Sequence, residues 1–191
     1  MTYSTLASIV KYPFSSSAAG KKGKFGFFDS EKTDYRRIAD ELGIPCKSEV
    51  GEPLRYARHP LVYLVEAADD ICYEIMDLED AHKLKIVSFD EASRLMLGFF
   101  EAEVQQRILQ RIKDEQLTDP NEQIVYMRSC VIGKLENECV KAFIDHEDEI
   151  LAGTFEKGLI DHISPLQREA YKACAKLSVA RIYKSRPVLD V

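Results

Sequence analysis

The sequence predicts an all-α fold, and three observations lead to that prediction. Apolar residues recur at intervals of three and four through most of the chain, which is the period of an α-helix. Alternation of apolar and polar residues, the pattern of a half-buried strand, is scarce. Helix-start signals recur at Pro60, at Ser88 with Glu91, and at Asp119 with Pro120. We therefore expect a bundle of helices.

The N-terminal part of the chain is predicted to combine short helices with loops. A short helix over residues 1–10 must end before Pro13, because the residue preceding a proline is driven out of the helical region. Ser15–Gly26 is small, glycine-rich and basic, which is typical of a mobile loop. A helix over Glu31–Leu42 follows, and Gly43 stands where a left-handed C-terminal cap is expected.

Four longer helices are predicted after residue 59. The first runs from Pro60 to about Lys85, the second from Ser88 to about Lys113, and the third from Asp119 to about His146. The last begins at Ser164 with Pro165 and Gln167. It carries small and apolar residues at helical spacing: Ala170, Ala173, Cys174, Leu177 and Ala180.

Composition is that of an ordinary globular protein, with 46% hydrophobic and 30% charged residues in a chain of 191. The net charge of −6 argues against a dedicated nucleic-acid coat or a membrane-surface protein. No apolar run approaches the roughly 20 residues that span a bilayer, and a signal-peptide core is lacking. The five cysteines are widely spaced without a Cys-x-x-Cys pair, which predicts reduced, mostly buried thiols in a cytoplasmic protein.

The most informative segment is Arg58–Asp80. On a helix, one face of it is apolar and is formed by Leu61, Leu64, Val65, Ala68, Cys72 and Ile75. An adjoining stripe, about 80° wide by helical geometry, carries Glu66, Asp69, Tyr73, Asp77 and Asp80. The stripe contains no lysine, so its carboxylates repel one another. Two interpretations stay open: a solvated acidic face, or a site where a divalent cation or a sugar hydroxyl relieves the repulsion.

The same segment resembles a known family. The strings EAADDICY (66–73) and DLEDA (77–81), with His59-Pro60-Leu61, look like part of the catalytic domain of deoxynucleoside triphosphate triphosphohydrolases, the dGTPase branch of the His-Asp phosphohydrolases. Shorter stretches elsewhere resemble the family more weakly: Lys11-Tyr12-Pro13, Lys24–Phe28, Tyr126-Met127-Arg128, Gly153-Thr154-Phe155 and Arg181-Ile182-Tyr183.

The resemblance implies a His-Asp phosphohydrolase-type helical fold and hydrolysis of dGTP or another dNTP to deoxynucleoside and inorganic triphosphate. It also implies a divalent metal, Mg²⁺ or Mn²⁺ or another transition metal, held by two histidines and two aspartates. Asp69 matches the late aspartate ligand, with Asp70 as the adjacent competitor. The chain contains no His-Asp dipeptide, and its four histidines do not form the family's motif.

Substrate contacts are implied in the same way. Tyr73 matches a position that contacts the nucleotide, and Asp77 one that recognises the deoxyribose 3′-hydroxyl. Lys11 and Tyr12 match residues that reach the triphosphate, and Lys24 is aligned with the same role.

We therefore expect residues 1–191 to be a partial triphosphohydrolase domain that lacks the early metal motifs and the C-terminal end and is inactive alone. The intact protein is expected to be a homo-oligomer, with single-stranded DNA as a candidate effector. Two alternatives stay open. One is a non-catalytic helical module that oligomerises or binds effector nucleotides or single-stranded DNA. The other is a related phosphohydrolase acting on a signalling nucleotide, which the assignment of Asp77 disfavours.

Other conspicuous residues are given ordinary structural roles. The loop Lys21–Lys24 is interpreted as solvated rather than phosphate-binding. His59 is expected to help cap the helix that Pro60 opens, and Arg128 and Arg181 to form surface ion pairs. The aromatic residues Phe99, Phe100 and Phe143 fit core or subunit-interface packing.

Overall fold

The computed structural model describes residues 1–183 and is all-α, as the sequence predicts. Within these residues the backbone forms no strand, only three isolated β-bridges. The helices of this range are α1 (Tyr3–Ser8), α2 (Lys32–Leu42), α3 (Pro60–Lys83), α4 (Phe89–Leu97), α5 (Ala102–Asp114), α6 (Pro120–Asp145), α7 (Glu147–Leu151) and α8 (Pro165–Leu177). A π-helical turn, Ser178–Tyr183, follows α8 directly. Residues 184–191 lie outside this description.

The chain divides into two compact units. The first unit consists of Met1–Ala67 and Lys141–Leu159, and the second of Ala68–Val140 with the described residues from Ile160. The boundary falls inside α3 and inside α6, so each of these helices contributes residues to both units.

Aromatic side chains form much of the core of the first unit. The Phe27 and Tyr35 rings stack with their centroids 4.4 Å apart, and Tyr56 packs against Tyr35 at 5.4 Å. Ala7 of α1 and Ala39 of α2 are fully buried in the same cluster. Small residues at these positions let the two short helices approach closely. Burial of this apolar surface is what stabilises helices too short to be stable alone.

The second unit has an aliphatic core with one phenylalanine at its centre. Its most deeply buried side chains are Ile75, Leu78, Met96, Phe99, Ile124, Met127 and Leu135. Phe100 is also buried, so the expectation of core packing for Phe99 and Phe100 is confirmed. Phe143, which belongs to the first unit, is half-buried.

Helix α3 begins at Pro60, as predicted, and continues unbroken for 24 residues. The backbone N–H of Leu61 donates to Nδ1 of His59 at 3.2 Å, so the expected capping role of His59 is confirmed. The predicted apolar face, however, is wrong. Of its six members only Ile75 is buried, and the helix instead buries Val62, Tyr63, Ala67, Ile71, Ile75 and Leu78.

The predicted single helix from Ser88 to Lys113 is two helices. Ser88 does cap the first, by accepting a hydrogen bond from the Glu91 N–H at 3.2 Å. That helix ends at Leu97, and α5 starts only at Ala102. Phe99 and Phe100, two consecutive aromatic residues in the segment between these helices, are both buried.

Other helix ends agree with the sequence in part. Gly43 adopts the left-handed conformation at the end of α2, with φ of 64°, as predicted. The last helix begins at Pro165 with Ser164 at its N-cap position, as predicted, but the Ser164 side chain makes no capping hydrogen bond. The Ser164 hydroxyl and N–H both bind the carboxylate of Glu138, and Gln167 donates to the Phe99 carbonyl at 2.9 Å.

All five cysteines carry free thiols, as expected. The expectation that they are mostly buried is wrong for Cys46 and Cys72, which are exposed, whereas Cys139 and Cys174 are buried. Across residues 1–183, no helix combines the length and the apolar character that a membrane span requires.

Candidate nucleotide-binding site

Two of the three residues matched to triphosphate binding are in direct contact in the first unit. The Lys24 Nζ donates to the Tyr12 hydroxyl at 3.1 Å and lies 5.2 Å from the centroid of the same ring. Lys11 forms an ion pair with Glu66, at 3.0 Å between Nζ and Oε1. Lys21 and Lys22 are exposed, which agrees with a solvated loop. Lys24 is therefore held by its hydrogen bond to Tyr12, and Lys11 by its ion pair with Glu66 of α3.

A glycine allows the two segments that carry these residues to approach each other. The Gly26 N–H donates to the Phe14 carbonyl at 3.0 Å. A Cβ atom at position 26 would lie 2.2 Å from the Tyr12 carbonyl oxygen and 2.4 Å from a methyl carbon of Val10. Only glycine fits this contact, which sets Tyr12 and Lys24 side by side.

A cavity of about 340 Å³ opens beside Lys11 and Tyr12, entirely within the first unit. Its charged lining residues are Lys11, Lys47, Arg58 and Glu156, three cations and one carboxylate. The remaining lining residues are aromatic or proline: Tyr12, Pro13, Phe14, Tyr56, Tyr63 and Phe155. A small cavity with aromatic walls and an excess of positive charge suits an anionic ligand.

Arg58 was not predicted as a site residue, yet it is fixed at this cavity. Its NH1 donates to Glu66 Oε2 at 2.9 Å, and its guanidinium lies 5.5 Å from the centroid of the Tyr63 ring. Tyr63 is itself held by a hydrogen bond of 2.6 Å to the Phe155 carbonyl. In the sequence, Arg58 is simply a basic residue two positions before Pro60, and this position gives no indication that it lines a cavity.

In the second unit, Asp69, Tyr73 and Asp77 occupy successive turns of α3, because the helix is continuous through all three. Asp69 is exposed, and among the described residues it makes no hydrogen bond or ion pair. Tyr73 is 58% exposed. The adjacent Asp70 is half-buried, and its backbone carbonyl accepts a hydrogen bond from the Tyr171 hydroxyl at 3.0 Å.

Asp77 has a partner that the sequence did not reveal. The Tyr183 hydroxyl donates a hydrogen bond to Asp77 Oδ2. The Tyr183 ring lies nearly parallel to that of Tyr73, with an angle of 11° and centroids 6.2 Å apart. Burial and the hydrogen bond to Asp77 raise the pKa of the Tyr183 phenol well above its usual value, so the phenol stays protonated and remains a donor.

The buried acids of α3 have partners of their own. Glu79 binds both Lys83 and Arg128, and burial raises the pKa of Glu74, which accepts a hydrogen bond of 2.7 Å from Ser178. The expected surface ion pair is confirmed for Arg181, which binds Glu91 at 2.7 Å, whereas Arg128 pairs with the buried Glu79. These acids are therefore part of the packing of the second unit.

A metal ion would need more ligands than this part of the chain brings together. Among residues 1–183, no group of three or more His, Cys, Asp or Glu side chains is placed to hold one. Asp69 offers a single exposed carboxylate. The described residues alone therefore cannot form a metal centre with four protein ligands.

Comparisons with known proteins place the chain beside one set of enzymes. A deoxyguanosinetriphosphate triphosphohydrolase-like protein of Pseudomonas aeruginosa (strain LESB58) is 35% identical over 167 residues, which cover 85% of this chain and 36% of the relative. A deoxyguanosinetriphosphate triphosphohydrolase-like protein of Listeria monocytogenes is 31% identical over 203 residues, which cover 100% of this chain and 40% of the relative. A deoxyguanosinetriphosphate triphosphohydrolase of Salmonella arizonae is 28% identical over a stretch that covers 92% of this chain and 37% of the relative.

The chain thus spans well under half the length of these relatives. No protein-family model matches the sequence.

Proposed function

We propose, because this chain belongs to the deoxyguanosinetriphosphate triphosphohydrolase family, that it supplies the substrate-binding part of a triphosphohydrolase. The reaction proposed for the whole enzyme is the hydrolysis of dGTP or another dNTP to deoxynucleoside and inorganic triphosphate. The observation that carries the proposal is the spacing of Asp69, Tyr73 and Asp77 on successive turns of one unbroken helix. Side chains four residues apart on a continuous helix lie along one face, so the three can contact a single ligand.

Each proposed contact follows from the chemistry of its side chain. Lys11 and Lys24 carry ammonium groups that bind triphosphate oxygens, and the Tyr12 hydroxyl adds a hydrogen bond. Tyr73 offers an exposed ring and hydroxyl to the nucleotide, and Asp77 accepts a hydrogen bond from the deoxyribose 3′-hydroxyl. The contact between Tyr12 and Lys24 supports a shared role for these two residues.

We further propose that Asp69 contributes one carboxylate to a centre for Mg²⁺, Mn²⁺ or another divalent transition metal. Its other ligands would come from outside the described residues, which hold no cluster of three potential ligands. This chain alone is then expected to release no triphosphate from dGTP with either metal. Robust turnover by the isolated chain would overturn that part of the proposal.

Binding tests the proposed sugar contact directly. The affinity of the chain for dGTP is compared by calorimetry with its affinity for 2′,3′-dideoxy-GTP, which lacks the 3′-hydroxyl. Loss of a hydrogen bond to a charged acceptor is worth roughly tenfold in affinity, so the chain should prefer dGTP by about that factor. Asp77→Asn should remove most of the preference. Asp80→Asn, one turn along the same helix but exposed, is the matched control and should keep it.

Equal affinity of the wild-type chain for the two nucleotides would contradict the role of Asp77. A preference that survives Asp77→Asn but is lost in Asp80→Asn would show that the sugar residue is assigned one turn too early.

A second candidate function is a non-catalytic helical module that forms homo-oligomers or binds an effector nucleotide or single-stranded DNA. What favours it is that no metal cluster is present in the described part of the chain. Specific dNTP binding that is indifferent to Mg²⁺ and Mn²⁺, together with a concentration-dependent oligomer in size-exclusion chromatography, would support this function. Binding of single-stranded DNA at physiological salt would identify the effector.

A further inference from the structure

We propose that Arg58 binds phosphate oxygens at the cavity of the first unit, as the partner of Lys11 and Tyr12. The inference rests on the proposed function, because it takes the triphosphate as the ligand, and it adds a binding residue that the sequence motifs did not single out. Arg58 lines the same cavity of about 340 Å³ as Lys11 and Tyr12. A guanidinium presents its N–H donors as a planar fork that matches phosphate geometry.

Two contacts hold the Arg58 guanidinium in place and use the donor of only one of its nitrogens. The hydrogen bond to Glu66 engages NH1, and the Tyr63 ring lies under the guanidinium carbon. A guanidinium carries five N–H donors. Within residues 1–183, that of Arg58 donates only to Glu66. Donors on its other nitrogens are therefore available to a ligand.

The support beneath Arg58 is rigid. Tyr63 is only 1% exposed, and its hydroxyl is fixed by the Phe155 carbonyl at 2.6 Å. The Phe155 ring meets the Tyr63 ring edge-on, with centroids 5.2 Å apart. A cation held on a buried aromatic loses little side-chain entropy when it binds a ligand.

Glu66 acts here as a positioning residue. Its two carboxylate oxygens bind different cations, Oε1 to Lys11 at 3.0 Å and Oε2 to Arg58 at 2.9 Å. Glu66 itself does not line the cavity. One carboxylate therefore sets the spacing of two cations at the cavity wall, and this explains why an acid on the predicted acidic stripe is only 11% exposed at its side chain.

The test is calorimetric titration of the full chain with inorganic triphosphate in the absence of divalent metal. Arg58→Gln should weaken binding by about tenfold or more, the effect of losing charge-assisted hydrogen bonds. Arg58→Lys keeps the charge but loses the fork, so its affinity should fall between the two. The matched control is Lys157→Gln, an exposed cation of the same unit outside the cavity lining, which should bind as the wild type does.

A second variant guards against misfolding. Arg58→Gln leaves Glu66 with one cation fewer, whereas the double variant Arg58→Gln with Glu66→Gln removes both members of the pair and leaves similar packing. Because Glu66 also pairs with Lys11, the single variant Glu66→Gln is the reference for the double variant. The double variant should melt close to that reference and bind triphosphate at least about tenfold more weakly than it does. Equal affinities of these two folded variants would overturn the role of Arg58.

Lys11→Gln separates this inference from the proposed function. Loss of binding in Lys11→Gln together with wild-type binding in Arg58→Gln and Arg58→Lys would refute the inference and leave the proposed triphosphate contact standing. Unchanged binding in Lys11→Gln as well, or no binding by the wild-type chain, would refute both.

Discussion

The Tyr183 hydroxyl donates its hydrogen bond to the same carboxylate, that of Asp77, which we propose as the acceptor for the 3′-hydroxyl of a nucleotide. The phenol thus satisfies an acid that is half-buried. Because the Tyr183 ring also lies nearly parallel to Tyr73, one residue contacts both proposed sugar-binding side chains. We expect the 3′-hydroxyl to bind at the same oxygen, Oδ2, and so to compete with the phenol.

Removing the Tyr183 hydroxyl should therefore strengthen nucleotide binding. In Tyr183→Phe the competing donor is absent, and dGTP affinity should rise by about two- to tenfold, the usual net worth of one hydrogen bond. The affinity for 2′,3′-dideoxy-GTP, which has no 3′-hydroxyl, should stay the same. Calorimetry with both nucleotides measures the two effects. A parallel gain for both would mean that the ring position, not the hydroxyl, limits binding.

Stability should fall at acidic pH in a way that depends on His59. Burial lowers the pKa of His59 from its ordinary value of 6.5, and its Nδ1 must be unprotonated to accept the Leu61 N–H. The unfolded chain therefore binds this proton at higher pH than the folded chain. The stabilising contribution is complete above pH 6.5 and is lost as the pH falls through the lowered pKa.

The matched variant for this prediction is His59→Asn, whose side-chain oxygen accepts the same N–H but does not titrate. Melting temperatures of the two proteins at about pH 8 and about pH 5 should diverge on the acidic side, with the wild type losing more. The other histidines are common to both proteins and cancel in the comparison. If the two melting curves shift equally with pH, His59 is not the group responsible.

The close approach at Gly26 should make that position intolerant of any side chain. Gly26→Ala forces a Cβ atom against the Tyr12 carbonyl, and we expect a loss of at least about 2 kcal/mol in the free energy of unfolding. Gly20→Ala, in the same loop region but with open space around its Cβ, should change stability by less than about 0.5 kcal/mol. Urea titrations of both variants measure the difference. Equal stabilities would show that the segments separate easily.

The ion pair between Glu79 and Arg128 should matter more than the surface pairs. Glu79 is 3% exposed, so Arg128→Gln leaves a buried carboxylate with Lys83 as its remaining partner, and stability should drop by about 1–3 kcal/mol. Arg111→Gln breaks an exposed pair with Glu115 and should lose no more than about 0.5 kcal/mol.

A double variant, Arg128→Gln with Glu79→Gln, removes the unpaired charge and should recover most of the loss on thermal unfolding. No recovery would mean that the arginine contributes through its packing rather than its charge.

The helical content of the fold was predictable because its signals are local. Gly43, Pro60 and Ser88 each mark a helix end through their own backbone or side-chain chemistry. The break after Leu97 falls at Gly98, which is a poor helix former and stands at the C-cap of α4. The break was missed because apolar periodicity alone does not mark a helix end.

The buried face of α3 was mispredicted for a related reason. Near its start the helix is apolar on most sides: Leu61, Val62, Leu64 and Val65 point in different directions. Periodicity then cannot decide which of these side chains are buried. The structure buries Val62 and leaves the other three exposed. A helix with one narrow apolar stripe would not have allowed this error.

The candidate site was predicted from motif resemblance, so only residues inside the matching motifs could be assigned a role. The EAADDICY string named Asp69 and Tyr73, and a short Lys-Tyr-Pro motif named Lys11 and Tyr12. Arg58 stands directly before a resembling stretch, and Tyr183 ends another, but neither stretch assigned a role to these two residues. Their contacts with Glu66 and Asp77 appear only when the chain is folded.

The exposed thiol of Cys72 gives the second unit a natural reporter group. Burial raises the pKa of Cys139 to about 11 and that of Cys174 to about 12, so both are poor nucleophiles at neutral pH. An alkylating dye should therefore attach first to Cys72 and to Cys46, the other exposed thiol. With Cys46 replaced by serine, a single fluorophore would stand one residue from Tyr73, and its emission would follow the arrival of a nucleotide on that turn of the helix.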